Sequence, residues 1–569
     1  MLVNHLTFTK FYRQTKGTNF AGVTSLVFLN CIFFKFFCTN SLILAADDSG
    51  LILTKVASYT RNPLNMNVNP YISTSDQLTL SVLSEWLFGL ISSVFALDIT
   101  MTQKLILFMT VNGLFLTLRN IVMRYSRLPN IITLLTILSI CLSYSPIWLR
   151  PISPGFNLVI LLIALNVLLN SKCLREPKMG QVITLVLLNL YLSLAYVFYS
   201  LILTVTIAFC QLFLLLKGKK LNFSHYFFLL LNFIPGFFFF ILSHQSNQSY
   251  QDLSFRWGVI QSHFPGSLRT FLFSSLGIIA ALLYLKNDLK YLFLSLFLSS
   301  IILSNSQIFT GTSMEFDSHF FPPVFVATTL VIFLSTEHLL FVLFSQNGFG
   351  KESVWRGISY SLFIVLLLNL SLVQFRAVSR ATTPSGILIS FQTQLFPRFD
   401  KLVSEEKSAT ISVDSKFRDF IPLFTRHKLL YSLPGTSFFP MTNWEVIERR
   451  VLDDRIQGLN SAYSLSQIRE IFPRHFVNFE QKKRLEKQFF SRNVVAEENE
   501  LALKYDLYVT YANRISNDLI TPEGFLLYLK KYGVEASILM STPSSLVHRY
   551  FRCTIVEYYA RAVHLCVRL

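Results

Sequence analysis

Two adjacent carboxylates, Asp47 and Asp48, stand where the first long apolar run of the chain (residues 22–46) gives way to polar sequence. A carboxylate beside hydrocarbon is poorly solvated, so its pKa rises toward values useful to a general base. A cationic neighbour offsets that shift; Lys55 and Arg61 follow in the same stretch, where they could flank a phosphate or simply face lipid headgroups. A second candidate is Arg150 in "WLRPISPG", whose surroundings are stiffened by Pro151 and Pro154. A rigidly held guanidinium can grip an anionic group such as phosphate through two parallel hydrogen bonds, or it can snorkel to headgroups. The third is "NSQIFTGTSMEFDSH", which sets Asn305, Gln307, Thr310, Glu315, Asp317 and His319 within one short segment. Such a set could hydrogen-bond a polyhydroxylated ligand or take a divalent metal ion, although its spacing is not diagnostic of metal and a solvated loop would look the same. Weaker candidates are Glu85 with Trp86, and Glu337 with His338 inside an apolar run, where ionisable groups are rare.

These residues sit among elements of an unusual composition. Only 14% of the chain is charged, against about 25% in soluble proteins, and apolar runs of roughly 17 to 25 residues recur along it. The chain is therefore expected to be a polytopic α-helical membrane protein. Its net charge of +18 does not imply nucleic acid, because the lysines and arginines collect in short loops between apolar runs, the pattern that fixes membrane orientation. No zinc spacing or phosphate-binding glycine loop is present. Cys31, Cys38, Cys141 and Cys210 lie in apolar runs and read as small core residues. Cys553 and Cys566 lie in the polar C-terminal part, where a disulfide is possible if that part is extracytoplasmic.

The basic residues Lys10, Arg13 and Lys16 precede the run 22–46, which reads as a first span leaving the cytoplasm rather than a cleaved signal. If 78–97 and 102–118 both crossed, the arginines of "RNIVMRYSR" would lie outside, against the charge rule. An interfacial helix at 78–97 removes the conflict. It also places the loops at 171–178, 217–220, 286–290 and 350–356 in the cytoplasm. The stretch 181–216 is too long for one crossing, and two crossings with a tight outer turn near Tyr199 keep the bias. The expected domains are a cytoplasmic N-terminus (1–21), a membrane domain (22–376) of about eleven spans with a first outer loop at 47–101, and an extracytoplasmic α/β domain (377–569). In that last domain "ATISVD" and "YDLYVTYA" are strand-like.

This layout resembles the GT-C glycosyltransferases, the superfamily of the protein O-mannosyltransferases, lipid A aminoarabinose transferases and oligosaccharyltransferases. The resemblance covers nearly the whole chain and rests on "AADDSG" after span one, the embedded "LSVLSEWLFGLISSVFAL", the many spans and the terminal outer domain. "LRPISPGFN", "NSQIFTGTSMEFDSH" and "DFIPLFTRHKLLYS" are similar to a bacterial branch of that superfamily. The first loop lacks the proline-proline element of the mannosyltransferases, and "DDS" replaces the usual acidic-plus-aromatic pattern, so the donor sugar stays open. The resemblance implies an inner-membrane, multi-pass transferase that moves a sugar from a polyprenyl-phosphate donor to a glycan, lipid or protein acceptor. By that likeness Asp47 or Asp48 is the base, Arg150, Arg61 and Lys55 face the donor phosphate, and the Asn305–His319 loop lines the sugar or acceptor pocket. A lipid-linked glycan polymerase or ligase, a transporter or flippase, and a non-catalytic scaffold are the competing readings. A transporter would more often show internal repeats.

Overall fold

Long runs of Leu, Ile, Phe and Val without charge leave the backbone no polar partner in lipid except itself, so these segments close their hydrogen bonds as helices. The computed structural model describes residues 15–38, 48–64, 69, 71–72, 83–142, 150–172, 175, 178–219, 231–234, 248–261, 267–285, 287–310, 312–313, 319–346, 352–381, 394–403, 408–459, 462–490, 495–558 and 561–569. The first run forms α1 (Thr15–Ile32) and α2 (Phe34–Cys38); the segment after it holds α3 (Asp48–Arg61) and α4 (Leu83–Val94). Next come α5 (Ile99–Val122), α6 (Pro129–Cys141), a π-helical turn (Pro151–Phe156) leading into α7 (Asn157–Asn170), α8 (Met179–Ala195) and α9 (Val197–Leu216). After helix α10 (Gln248–Arg256) and strand β1 (Ile260–Gln261), α11 (Leu268–Tyr284) and α12 (Asn287–Ser304) follow. The short α13 (Gln307–Thr310) and β2 (Thr312–Ser313) then lead to α14 (Phe321–Gln346) and α15 (Glu352–Ala381). Helices α5, α9, α14 and α15 each contain a stretch long and apolar enough to cross a membrane; several others are apolar but shorter.

Two of the expected boundaries shift. The break in the long run 181–216 falls at Tyr196 (φ −161°, ψ 82°) rather than Tyr199, and α15 runs to Ala381, past the expected end of the membrane domain at 376. The run 78–97 holds a helix, α4, shorter than the run itself.

The bundle has two chemically distinct ends. One gathers the basic loops: Arg119 bonds Asn130 (2.7 Å) and packs beneath Gly22, Arg175 pairs with Asp288 (3.0 Å), and Lys217 lies 3.6 Å from the centre of the Tyr291 ring. Glu337 belongs to this end. Its Oε1 accepts from the backbone N–H groups of Arg127 (2.8 Å) and Leu128 (3.1 Å), so it anchors the turn that leads into α6. The opposite end carries α3, α4, the π turn and the C-terminal domain.

That domain starts with α16 (Phe396–Leu402) and is built on a five-stranded sheet of order β4-β3-β5-β7-β6, with β3 (Thr410–Val413), β4 (Lys428–Leu429), β5 (Val534–Leu539), β6 (Phe551–Tyr558) and β7 (Arg561–Arg568). β3 is parallel to β4 and β5, whereas β7 is antiparallel to β5 and β6. The parallel strands are covered on both faces, which is why "TISV" and "ASIL" read as continuous runs. Between β3 and β4 lies α17 (Ile421–Phe424). Between β4 and β5 lie α18 (Leu433–Phe438), α19 (Asn443–Ile456), α20 (Leu465–Ile471), α21 (Pro473–Phe490), α22 (Val495–Asp518) and α23 (Pro522–Lys531). After β5, α24 (Ser545–Tyr550) leads into the terminal hairpin. "YDLYVTYA", expected as a strand, lies inside α22. Tyr505, Tyr508, Ala512, Ile515 and Leu519 are all buried, a spacing of three and four that puts one helical face on the core and overrides the β preference of Tyr, Val and Thr. Cys553 and Cys566, opposite each other on β6 and β7, form a disulfide.

The segment holding α3 and α4 joins the two bodies. Ile52 and Val56 of α3 pack with Phe88 of α4, Ile106 of α5 and Ile152 of the π turn, whereas Leu53 and Ala57, one position further round, join the core of the C-terminal domain. Tyr71 and Ile72 extend that domain's sheet beyond β4, Ile72 bridging Leu429.

Candidate active site

At the domain-bearing end, α3 begins at Asp48, so the expected base opens a helix of 14 residues, where the helix dipole favours a carboxylate. Asp47 and the side chain of Asp48 lie outside the described residues. Lys55 follows seven residues later, two turns on and on the same face, about 10 Å along the axis. Its ammonium lies 5.8 Å from the centre of the Phe439 ring of the C-terminal domain and within electrostatic reach of Glu85.

Glu85 emerges as a stronger candidate than its sequence context indicated. On α4 it is 3% exposed, and its Oε2 has no hydrogen-bond partner. Burial raises its pKa, and the charge of Lys55 opposes the rise. The adjacent Ser84 donates to Asn157 Oδ1 (2.7 Å) and shares a hydrogen bond with the Tyr191 hydroxyl (3.0 Å), tying α4 to α7 and α8. Trp86 turns away and donates to Pro63 O (2.7 Å). The sequence signal for Glu85 is a lone acid in an apolar helix.

Arg150 precedes the π turn whose Gly155 N–H donates back to its carbonyl (3.2 Å). The guanidinium acts electrostatically on His319, as does Arg474 of α21. His319, just before α14, is hydrogen-bonded through Nδ1 to the Tyr196 hydroxyl and stacks on Phe198 (4.4 Å between centroids, 20° between planes). Burial, with these two arginines, pushes its pKa down to about 3, so the ring is neutral at physiological pH. The break at Tyr196 that splits α8 from α9 thus also delivers a side chain to His319.

Elsewhere in the loop, Asn305 bonds Ile301 O (2.8 Å) and Ser304 Oγ (3.1 Å), which closes the end of α12. Gln307 is 5% exposed with an unpartnered Nε2. Thr310 lies in α13, but its side chain, together with Glu315 and Asp317, falls outside the described residues. Among the described residues no group of three His, Cys, Asp or Glu side chains could hold a metal ion.

Arg61 departs from expectation. Its Nε donates to Ala57 O (3.0 Å) and its Nη2 to Pro422 O (2.7 Å) and Leu423 O (3.2 Å), so it fastens α3 to the C-terminal domain instead of facing a phosphate. A second latch was not legible as such in the sequence. Arg256 of α10 is 2% exposed and donates to the carbonyls of Thr436, Met441 and Phe439 (2.8, 2.8 and 3.1 Å) and to Asn443 Oδ1 (2.8 Å). Its helix partner Asp252 accepts from Asn443 N (2.9 Å) and Nδ2 (3.1 Å).

The whole chain superposes on the crystal structure of ArnT from Cupriavidus metallidurans in the apo state, with a TM-score of 0.50, 10% identity, and coverage of 97% of this chain and 98% of that one. The fold is that of ArnT. The archaeal oligosaccharyltransferase AglB from Archaeoglobus fulgidus, solved with an inhibitory peptide and a dolichol-phosphate, is also similar, with a TM-score of 0.39, 9% identity, and coverage of 92% and 69%. No protein-family model matches the sequence, and no curated protein matches it. The apolar helices and the ArnT-like fold support a multi-pass membrane protein.

Proposed function

We propose that the protein is an integral membrane glycosyltransferase that moves a sugar from a polyprenyl-phosphate donor to an acceptor hydroxyl at the outer face of the inner membrane. Of the residues that support it, the arrangement around α3 carries most weight. The helix begins at Asp48 and is held between the membrane bundle and the C-terminal domain, with Lys55 and the buried Glu85 on the same side of the bundle as Arg150 and His319. The basic loops at the other end fit a cytoplasmic location, which puts the C-terminal domain and its disulfide outside, where such bonds persist.

In this mechanism Asp48, or Asp47 beside it, takes the proton of the acceptor hydroxyl. The oxygen attacks the anomeric carbon, and the bond to the lipid phosphate breaks with its electron pair staying on phosphate. Arg150 and Lys55 neutralise the developing charge, and positioning supplies much of the remainder of the rate. Glu85 accepts a hydroxyl of the sugar or acceptor at its open oxygen, while Asn305, Gln307, Thr310, Glu315, Asp317 and His319 form the wall of the pocket.

The test compares surface glycans and glycolipids by mass spectrometry in cells lacking the gene, rescued with wild type, Asp47→Asn or Asp48→Asn at matched protein levels. One substitution should abolish a sugar addition that wild type restores. Full rescue by both would leave the aspartates as the wet end of a span and defeat the proposal.

A further inference from the structure

Lys104, in the second turn of α5, belongs neither to the basic end of the bundle nor to the candidate site. Arg119, at the basic end of the same helix, stands about 22 Å further along the axis. Lys104 is 8% exposed, and among the described residues its ammonium has no hydrogen bond or ion pair. The nearest acid along the chain, Asp98, is the N-cap of α5 and accepts from Met101 N (2.7 Å). An unpaired cation so placed in a membrane helix is costly, and such residues mark sites by default.

The side of α5 that carries Lys104 is defined by its neighbours. Met101, Lys104, Phe108 and Val111 are spaced by three and four, and so share one side of the helix. Met101 and Phe108 are exposed, whereas Leu107 and Val111 pack in the bundle core with Leu29 and Phe33 of α1. Lys104 therefore stands at the seam between lipid-facing and core-facing residues. Phe108 meets Phe37 of α2 edge to face (6.2 Å between centroids, 71° between planes), and Phe34 of α2 is 62% exposed. The two helices thus form an apolar groove, with Lys104 one turn beyond Phe108 toward the domain-bearing end. Ile106, about 200° further round the helix, packs with Ile52, Val56, Phe88 and Ile152. Lys104 is turned away from that core and from the α3–α4 side of the bundle.

We infer that Lys104 binds the phosphate of one anionic phospholipid, whose acyl chains lie in the α2–α5 groove against Phe34, Phe37, Met101 and Phe108. This site is separate from the candidate active site and does not rest on the transferase reading. Charge selects the headgroup, because an ammonium without a carboxylate is matched by a lipid of net negative charge. A zwitterionic lipid brings its own cation to the phosphate, and among the described residues the groove offers no acid to receive it. The apolar walls select a lipid over a soluble anion. The position of Lys104 across α5 from Ile106 selects a bilayer lipid over a sugar carrier bound beside α3 and α4.

The experiment counts lipid retained by the purified full-length protein, by native mass spectrometry, as phosphatidylglycerol is added in detergent. Phosphatidylcholine and farnesyl phosphate are titrated separately. Wild type is compared with Lys104→Met, Lys104→Arg and Arg124→Met, the last an exposed cation at the basic end, with melting temperatures recorded in each case. Wild type should retain one phosphatidylglycerol about ten- to a hundredfold more tightly than Lys104→Met, the range for loss of a charged hydrogen bond. Lys104→Arg and Arg124→Met should stay near wild type, and phosphatidylcholine should not distinguish Lys104→Met from wild type. In lipid-free detergent Lys104→Met should melt no lower than wild type, since it loses an unpaired charge. Equal losses in Lys104→Met and Arg124→Met would show diffuse attraction and overturn the inference. So would wild type with no preference for phosphatidylglycerol over phosphatidylcholine, a readout that stands even if Lys104→Met does not fold. Weakened farnesyl phosphate with unchanged phosphatidylglycerol would give Lys104 to the carrier lipid instead. A lower melting temperature with unchanged lipid affinity would make it a packing residue, and either result defeats the proposal.

Discussion

Replacing Arg256 with alanine should loosen the C-terminal domain from the membrane bundle. The guanidinium is buried and donates to four oxygens at 2.8 to 3.1 Å, and although burial lowers its pKa to about 10 it is charged at neutral pH. A hydrogen bond to a charged group contributes about 1.5–3 kcal/mol, but four on one side chain are not additive. Breaking a buried charged cluster by removing one partner costs about 3–5 kcal/mol, and here the carboxylate of Asp252 is left beside the vacated space. For a unit of roughly 150–250 residues, each kcal/mol shifts the melting temperature by about 2–4 °C, so Arg256→Ala should melt about 6–20 °C lower. Tryptophan fluorescence of the detergent-purified protein is a suitable assay, because Trp257 adjoins the latch and Trp444 lies edge-on to Tyr508 and Tyr511 (5.1 and 4.8 Å). Arg256→Lys keeps the charge but not the fork, and should fall between wild type and alanine. A melting temperature within about 2 °C of wild type for Arg256→Ala would show that these bonds do not hold the domain in place.

Two further outcomes are expected. Glu85→Gln preserves shape and hydrogen-bonding capacity, so it should leave the melting temperature unchanged while lowering sugar transfer about a hundredfold, within the usual range for a participating carboxyl; undiminished transfer would reduce Glu85 to a packing residue. His319 stays neutral in the folded protein to about pH 3, whereas the unfolded chain takes up a proton below its ordinary pKa of 6.5. Its contribution to stability is therefore complete above about pH 6.5 and is lost as pH falls, by about 2 kcal/mol at pH 5. Melts at pH 7.5 and 5 should show a smaller acid loss in His319→Gln than in wild type, and equal losses would refute the assignment.

Much of the architecture could be read from composition and charge because the bilayer is a severe solvent. Uncharged runs of this length have few alternatives to spanning helices, and the run 78–97 does contain a helix, α4. The α/β character of the C-terminal part was also legible in the "ATISVD" run that became β3. Local pattern failed at "YDLYVTYA", where side-chain type favoured a strand and the spacing of its buried faces decided for a helix.

The roles of the charged groups were a different matter. An arginine is the same residue whether it grips a phosphate or a row of carbonyls, and only its neighbours distinguish the two. Arg61 and Arg256 meet acceptors some 180 to 361 positions away in the chain, and Gly258 lets the backbone of α21 approach where a Cβ would meet Arg474 and Asn478. The sequence by itself determined a membrane bundle with basic loops at one end and a polar terminal domain, since those follow from transfer free energies summed over local runs. Which carboxyl is buried with an open oxygen, which arginines serve as latches, and how the terminal domain packs on the helix after the first run were decided by tertiary structure alone, because burial and pairing belong to groups brought together in space.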